Sequence, residues 1–432
     1  MKGPASDSAP GPSREIRGPI RKQGLNGISG SAIRILAVAA MVGLGACKPV
    51  NNGSSRRESG DITVACYYFP GYHPDEPRIN KLKGQGWSEW ELVRKARPRF
   101  PGHHQPKVPL WGYTDESDPG VMEQKIAAAS DHGIDVFIFD WYWDNEGIYW
   151  EGGLEDGYMK ATNKDRLRFA LMWAMWDFYD LFPFSRGEPV EVLWPGRITR
   201  ETFDSACNYI IEKYFRQPSY WKIDGKPYFS FYSLDLLVES FGSIRAARKA
   251  LDGFRDRARL AGFPDIHLNA VFKRTGEFLE SKDSAAQVNL IHELGFNSVT
   301  SYVWIHNVKL PELKTPYDSV REQYFSFWDR ADSLLEVPYF PNVTVGWDPS
   351  PRTVQEGPYG NFGYPYTNTI SGNTPARFRQ ALLDTRQRLL ESKGPQIITI
   401  NAWNEWTEGS YLEPDRESGY KYLQAIKEVF RN

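Results

Sequence analysis

From Asp61 onward the chain alternates short apolar runs with longer amphipathic ones, and that alternation is the strongest constraint on its fold. Eight runs read as strands: Ile62–Phe69, Ile134–Trp141, Leu167–Trp173, Pro227–Tyr232, Ile266–Phe272, Ser298–Val303, Tyr339–Val345 and Gln396–Ala402. Helix-like stretches lie between them at Gly120–His132, Thr199–Phe215, Ser243–Ala261, Asp283–Leu294, Ser319–Leu335 and Ala376–Ser392, and the chain closes with Gly419–Phe430. Several helices open at capping residues, such as Asp118-Pro119 and Thr374-Pro375. Strands that alternate with helices make a parallel sheet, and eight of them suit closure into a barrel. The expected fold is therefore α/β, a TIM-type (β/α)8 barrel with long βα loops. The runner-up is an open doubly wound sheet, against which stands the lack of Gly-x-Gly-x-x-Gly after the first strand.

In such a barrel the active site lies at the C-terminal ends of the strands. Strand 1 is followed by Tyr68 and His73, then by a long loop carrying Trp87, Glu89 and Trp90. Strand 2 ends in Asp140-Trp-Tyr142-Trp143, strand 3 in Trp173 and strand 4 in Tyr232. Strand 6 ends in Tyr302-Val-Trp304-Ile-His306, and strand 7 in Gly346-Trp347-Asp348. Only strand 5, ending in Phe272-Lys273-Arg274, departs from the pattern. Indole and phenol planes stack on sugar rings, while Asp, Glu and His hydrogen-bond hydroxyls, so these residues, without Trp143 and Tyr302 but with Trp403, Asn404 and Trp406 after strand 8, are the candidate substrate-binding set. Asp140 and Asp348 have a second possible role, as partners of Arg352. His73 and His306 have one as satisfied loop or core histidines. Tyr324, Phe325 and Phe327-Trp328, on a helix-like run, read as packing between helix and barrel.

The last strand runs into Asn401-Ala-Trp403-Asn404-Glu405-Trp406-Thr-Glu408-Gly409. It brings two carboxylates, three residues apart, into one loop between tryptophans. Carboxylates move protons and stabilise an oxocarbenium-like transition state, so Glu405 and Glu408 are the candidate catalytic pair. Burial and mutual repulsion would hold one pKa high and leave the other low, which separates an acid from a base. A salt-bridged structural pair is the alternative.

Net charge is -2, which implies no polyanion partner, so no nucleic acid is expected. His103-His104 lacks a third ligand at a recognisable spacing, so neither a metal nor another cofactor is called for. Before the barrel, Ile35 to Ala46 is an apolar run ending Leu44-Gly-Ala-Cys47. It is too short for an ordinary span and looks like a bacterial lipoprotein signal, with Cys47 the lipidated residue. Residues 1–46 are then a leader, 47–60 a flexible tether and 61–432 the barrel. An exported lipoprotein is expected, periplasmic or at the cell surface and touching the membrane through its lipid anchor only. Cys66 and Cys207 read as buried thiols, without a disulfide framework.

Tyr68-Phe-Pro-Gly-Tyr-His73-Pro74, Gly86-Trp-Ser-Glu-Trp90, Phe100-Pro-Gly-His-His-Gln-Pro106, Gly346-Trp-Asp348 and Asn401 to Pro414 resemble the WbsX-type family. That family is similar to glycoside hydrolase family 99, the endo-α-mannosidases and mannanases. The resemblance runs from about Ile62 to the C-terminus. It implies a (β/α)8 barrel with no obligatory metal, a carbohydrate substrate, and catalysis by the carboxylates of a Glu-Trp-x-Glu segment, here Glu405 and Glu408. It also implies net retention through a 1,2-anhydro sugar, with Glu405 as base on the substrate's 2-hydroxyl and Glu408 as acid, then base. Two other classes remain open. One is a glycosyltransferase of polysaccharide synthesis, for which neither a Gly-rich phosphate loop nor an Asp-x-Asp pair is present. The other is a non-catalytic carbohydrate-binding surface lipoprotein, which would not need both glutamates.

Overall fold

The structure is a computed structural model that describes residues 62–179, 182–187, 190–272 and 283–431. Cys47 and the expected leader and tether lie outside the described residues. The barrel strands are β1 Thr63–Tyr68, β2 Val136–Asp144, β3 Arg168–Trp173, β4 Lys226–Phe231, β5 His267–Phe272, β6 Ser298–Ser301, β7 (Tyr339–Phe340 with Asn342–Thr344) and β8 Ile397–Asn401. Each pairs in parallel with its neighbour in sequence, and β1 returns to β8 in the register Thr63↔Ile397 to Cys66↔Ile400. Most strand residues are buried, as expected of strands covered on both faces. The expected (β/α)8 barrel is the observed fold.

Strand 7 departs from expectation by breaking at Pro341. Tyr339 and Phe340 pair with β6, whereas Asn342 to Thr344 pair with β8. A proline has no N–H for a ladder, so it sits where the strand leaves one neighbour for the other. Its carbonyl still accepts from Thr399 N at 2.9 Å. The ring closes through this joint.

The helices form where the capping signals stand. Asp118 accepts from Gly120 N to start Pro119–Asp131, and Thr374 accepts from Arg377 N to start Pro375–Glu391. In Ile244–Leu260 the buried residues Ala247, Ala250, Leu251, Phe254 and Ala258 recur at three- and four-residue steps, giving one face to the barrel. The helix-like stretch Thr199–Phe215 is α-helical only over Arg200–Tyr209 and widens to a π-helical turn at Ile210–Phe215. The hydroxyls of Tyr209, just before the widening, and Tyr214, within it, both reach Glu155 Oε1, at 2.7 and 2.5 Å. Cys66 and Cys207 are buried free thiols.

The barrel interior is partly polar. Ser230 donates to Asn269 at 2.9 Å, Asn269 to Ser298 at 2.8 Å, and Asn342 to Thr399 at 3.1 Å. Such groups are tolerated inside because they satisfy one another. Above this layer, at the C-terminal ends of the strands, the barrel opens.

Candidate active site

The opening is a cavity of about 750 Å³ whose lining includes Asp140 from β2, Tyr232 after β4, Tyr302 and His306 after β6, Trp347 and Arg352 after β7, and Glu405 and Glu408 after β8. Trp87 and Glu89 from the first long loop and Tyr142 from β2 complete the expected residues that line it. The volume is in the range of small-molecule sites.

Glu405 and Glu408 reach the cavity through a tight local fold. Asn404–Glu405 pairs antiparallel with Ser410–Tyr411, and Trp406–Glu408 makes one 3₁₀ turn between them. Gly409 closes the turn at φ 64°, and a Cβ there would lie 2.8 Å from Asp348 Cβ, so only glycine fits. Asp348 N donates to Glu408 O across this approach.

The loop is clamped from below. The Asn404 side chain accepts from Phe69 N at 2.8 Å and donates to Phe69 O at 2.6 Å, continuing the pairing of β1. The indole N–H groups of Trp403 and Trp406 donate to the two oxygens of Glu413, at 2.9 and 2.7 Å. Lys125, fully buried, pairs with Glu413 at 2.8 Å and with Glu116 at 3.4 Å. Burial pulls the Lys125 ammonium down, but Glu413 and Glu116 outweigh it and hold it above its ordinary value.

Arg352 is the cation at the centre of the site. Its guanidinium lies 2.5 Å from Glu408 Oε1, 3.3 Å from Glu405 Oε2 and 3.7 Å from Glu89 Oε2. Arg352 also donates to the Tyr364 hydroxyl, which in turn donates to Glu408 Oε1 at 2.9 Å. Burial raises the Glu405 carboxyl well above its ordinary range; Glu408 adds to this and Arg352 opposes it. Burial also raises Glu408, against the pull of Arg352 and Tyr364. Asp140 is pushed well up by burial, with a hydrogen bond from Tyr302 working the other way. These are groups able to hold and release protons nearer neutrality than exposed carboxyls do.

Several expected binding residues lie outside this cavity, which corrects the reading of every strand-end aromatic as cleft-facing. Trp173 and Trp304 are fully buried and donate to the carbonyls of Trp143 and Asn342. Trp403, Asn404 and Trp406 belong to the clamp just described. Trp90 packs on Tyr72 and Trp406 and donates to Thr114 O at 2.8 Å. Tyr68 donates to Glu116 at 2.8 Å. His73 is buried against Asp75; burial pulls its pKa down, but Asp75, Glu116 and Glu76 together outweigh it and raise it. The Asp348 carboxylate pairs with neither a cleft side chain nor Arg352. It accepts from Gln105 and pairs with His103, each at 2.7 Å, beside a second cavity of about 430 Å³. Trp347 lines both cavities.

Three contributors escaped sequence reading: Tyr302 as a bridge between carboxyls, Tyr364, and Arg352 as partner of the glutamates. Their partners are remote in sequence, so no local spacing announces them. Among the described residues no group of three or more His, Cys, Asp or Glu is arranged to hold a metal.

The model of the family described as Glycosyltransferase WbsX matches residues 64–426. Uncharacterized protein WxcX of Xanthomonas campestris pv. campestris strain B100 is 27% identical over 396 residues, which is 86% of this chain and 50% of that protein. Its counterpart in strain ATCC 33913 matches to the same extent. The chain thus spans about half the length of the curated relatives it matches. A solved structure described as a glycoside hydrolase-like protein aligns with TM-score 0.55 at 12% identity, covering 90% of this chain and 98% of that one. The GH99 endo-alpha-mannosidase of Bacteroides thetaiotaomicron in complex with bis-tris-propane aligns with TM-score 0.50 at 14% identity, covering 85% of this chain and 95% of that one. At such identities the likeness is one of fold.

Proposed function

The chain belongs to the WbsX family, and from that premise we propose that it is a glycoside hydrolase that cleaves a polysaccharide or glycan with retention. The observation that carries this reading is the placement of Glu405 and Glu408 side by side on Arg352 in an aromatic-lined cavity. Arg352 and Tyr364 both donate to the same oxygen of Glu408, Oε1. The proton destined for the departing oxygen is carried on the other, Oε2. Glu405 takes the proton of the substrate's 2-hydroxyl as its oxygen attacks C1. Glu408 then activates the water that opens the 1,2-anhydro sugar. Two carboxyls from one short loop suit this same-molecule attack better than a nucleophile and an acid on opposite faces of the ring.

The family's transferase description is the competing reading. A nucleotide-sugar donor would bring its diphosphate to a cavity lined by Glu89, Asp140, Glu405 and Glu408, whose nearby guanidinium is already paired with glutamates. That arrangement favours a neutral glycan. Incubating the protein with α-mannans and other bacterial, plant and algal polysaccharides tests the proposal. New reducing ends are expected; transfer from a nucleotide sugar with no hydrolysis of any glycan would overturn it. We propose further that the protein is lipidated at Cys47 and acts outside the cytoplasm, on the strength of Leu44-Gly-Ala-Cys47 after its apolar run.

A further inference from the structure

The Tyr302 hydroxyl stands 2.9 Å from Asp140 Oδ2 and 2.9 Å from Glu405 Oε1. A phenol carries one proton and donates one hydrogen bond. If both carboxyls were ionised, one of them would face the lone pairs of the phenol oxygen. One of the two therefore carries a proton, which it donates to Tyr302 while Tyr302 donates to the other.

The surroundings decide which. Glu405 has Arg352 at 3.3 Å and so has a cation to stabilise its anionic form. Asp140 has no such contact. It is 4% exposed, and its Oδ1 is buried with no hydrogen-bond partner. An anionic oxygen in that position is far more costly than the carbonyl oxygen of a neutral acid. The ionisable groups that face it are Tyr67 from β1, Tyr142 on its own strand, Tyr232 after β4, Tyr302 after β6, Arg352 after β7, and Glu405 and Glu408 after β8. His306 stacks on Tyr302 at 6.3 Å between ring centroids. The arginine in this shell is already held by three glutamates, and burial pushes Asp140 toward its acid form.

We propose that Asp140 is a positioning residue, held as the neutral carboxylic acid, which through the Tyr302 hydroxyl keeps Glu405 as the carboxylate that receives the substrate's proton. This rests on the reading of Glu405 as the base. A neutral Asp140 also removes a negative charge that would otherwise raise Glu405. The proton chain runs from Asp140 Oδ2 to the Tyr302 oxygen and from the Tyr302 hydroxyl to Glu405 Oε1, and no bond is broken in setting it up.

Infrared difference spectroscopy of the full chain at neutral pH tests the assignment without any substrate. The protonated-carboxyl carbonyl band of the wild type is expected to lose a component in Asp140→Asn and to keep that component in Glu405→Gln. Loss in Glu405→Gln with retention in Asp140→Asn would put the proton on Glu405 and overturn the proposal. If Asp140→Asn fails to fold, Glu405→Gln alone still decides. Kinetics supply the functional arm. Tyr302→Phe removes a donor to the Glu405 carboxylate, so the acid limb of the pH–rate profile should move up by about 1–2 pH units. Asp140→Asn keeps a donor toward Tyr302, so that limb should stay in place whatever the rate. A limb unmoved in Tyr302→Phe contradicts the proposal. A wild type that hydrolyses no glycan would instead sink the functional reading, while the infrared band would still report on Asp140.

Discussion

Arg352 Nη1 donates to Glu408 Oε1 at 2.5 Å, closer than the same guanidinium comes to Glu405 or Glu89. The guanidinium is buried among the carboxyl groups of Glu408, Glu405 and Glu89, so its ion pairing is worth much less than the cost of removing it from one end. Replacing Arg352 with Met should lower stability at neutral pH by about 3–5 kcal/mol. The deficit should shrink as pH falls toward the ordinary carboxyl range, because the stranded glutamates then take up protons. Thermal melts across a pH series measure both.

The same linkage, with the charge removed instead, makes a prediction of opposite sign. Glu405 has a raised pKa in the folded protein. A raised acid contributes stability that is fully present below its unfolded value, near 4, and is lost as pH rises through the folded value. Glu405→Gln should therefore melt higher than the wild type at neutral pH, by roughly 1–3 °C. The difference should vanish near pH 4. Catalytic turnover should disappear in the same variant, so stability gained and activity lost would come from one carboxyl.

Glu413 accepts both indole N–H groups that flank Glu405 and pairs with Lys125 beneath them. In Glu413→Gln the amide can accept from only one indole through its oxygen, and Lys125 loses its nearest carboxylate, keeping Glu116 and the Tyr68 hydroxyl. A loss of about 3–5 kcal/mol in chemical denaturation is expected. Because the loop that carries both glutamates is loosened, kcat should fall more than KM rises.

Cys47→Ala should abolish lipidation. The altered protein is expected to keep an unprocessed leader and to lack the acyl group that mass spectrometry is expected to find on the wild type. An unchanged mass and unchanged processing would remove the basis for placing the protein on a membrane.

The barrel was legible from sequence because parallel strands covered on both faces are mostly apolar and their helices announce themselves at Asp118-Pro119 and Thr374-Pro375. The WbsX-type resemblance likewise holds. Which aromatic faces the cavity was not legible. Trp173, Trp304 and Trp403 stand at strand ends like Trp347, yet their indole N–H groups are drawn to Trp143 O, Asn342 O and Glu413 inside the fold. An indole at a strand end advertises neither direction; the acceptor it finds decides. The roles of Arg352 and Tyr302 beside Glu405 were missed for the same reason, since these contacts span 53 and 103 residues. The break in β7 was carried by a visible residue, Pro341, whose missing N–H marks the change of partner.

Proton NMR of the first-formed anomer, recorded early in hydrolysis by the wild type and repeated with Glu405→Gln and Glu408→Gln, reads the roles of the two glutamates at the anomeric carbon itself. The product is expected to keep the anomeric configuration of the substrate, and neither variant to form product at a detectable rate. An inverted first product, or turnover near the wild-type rate in either variant, would contradict it.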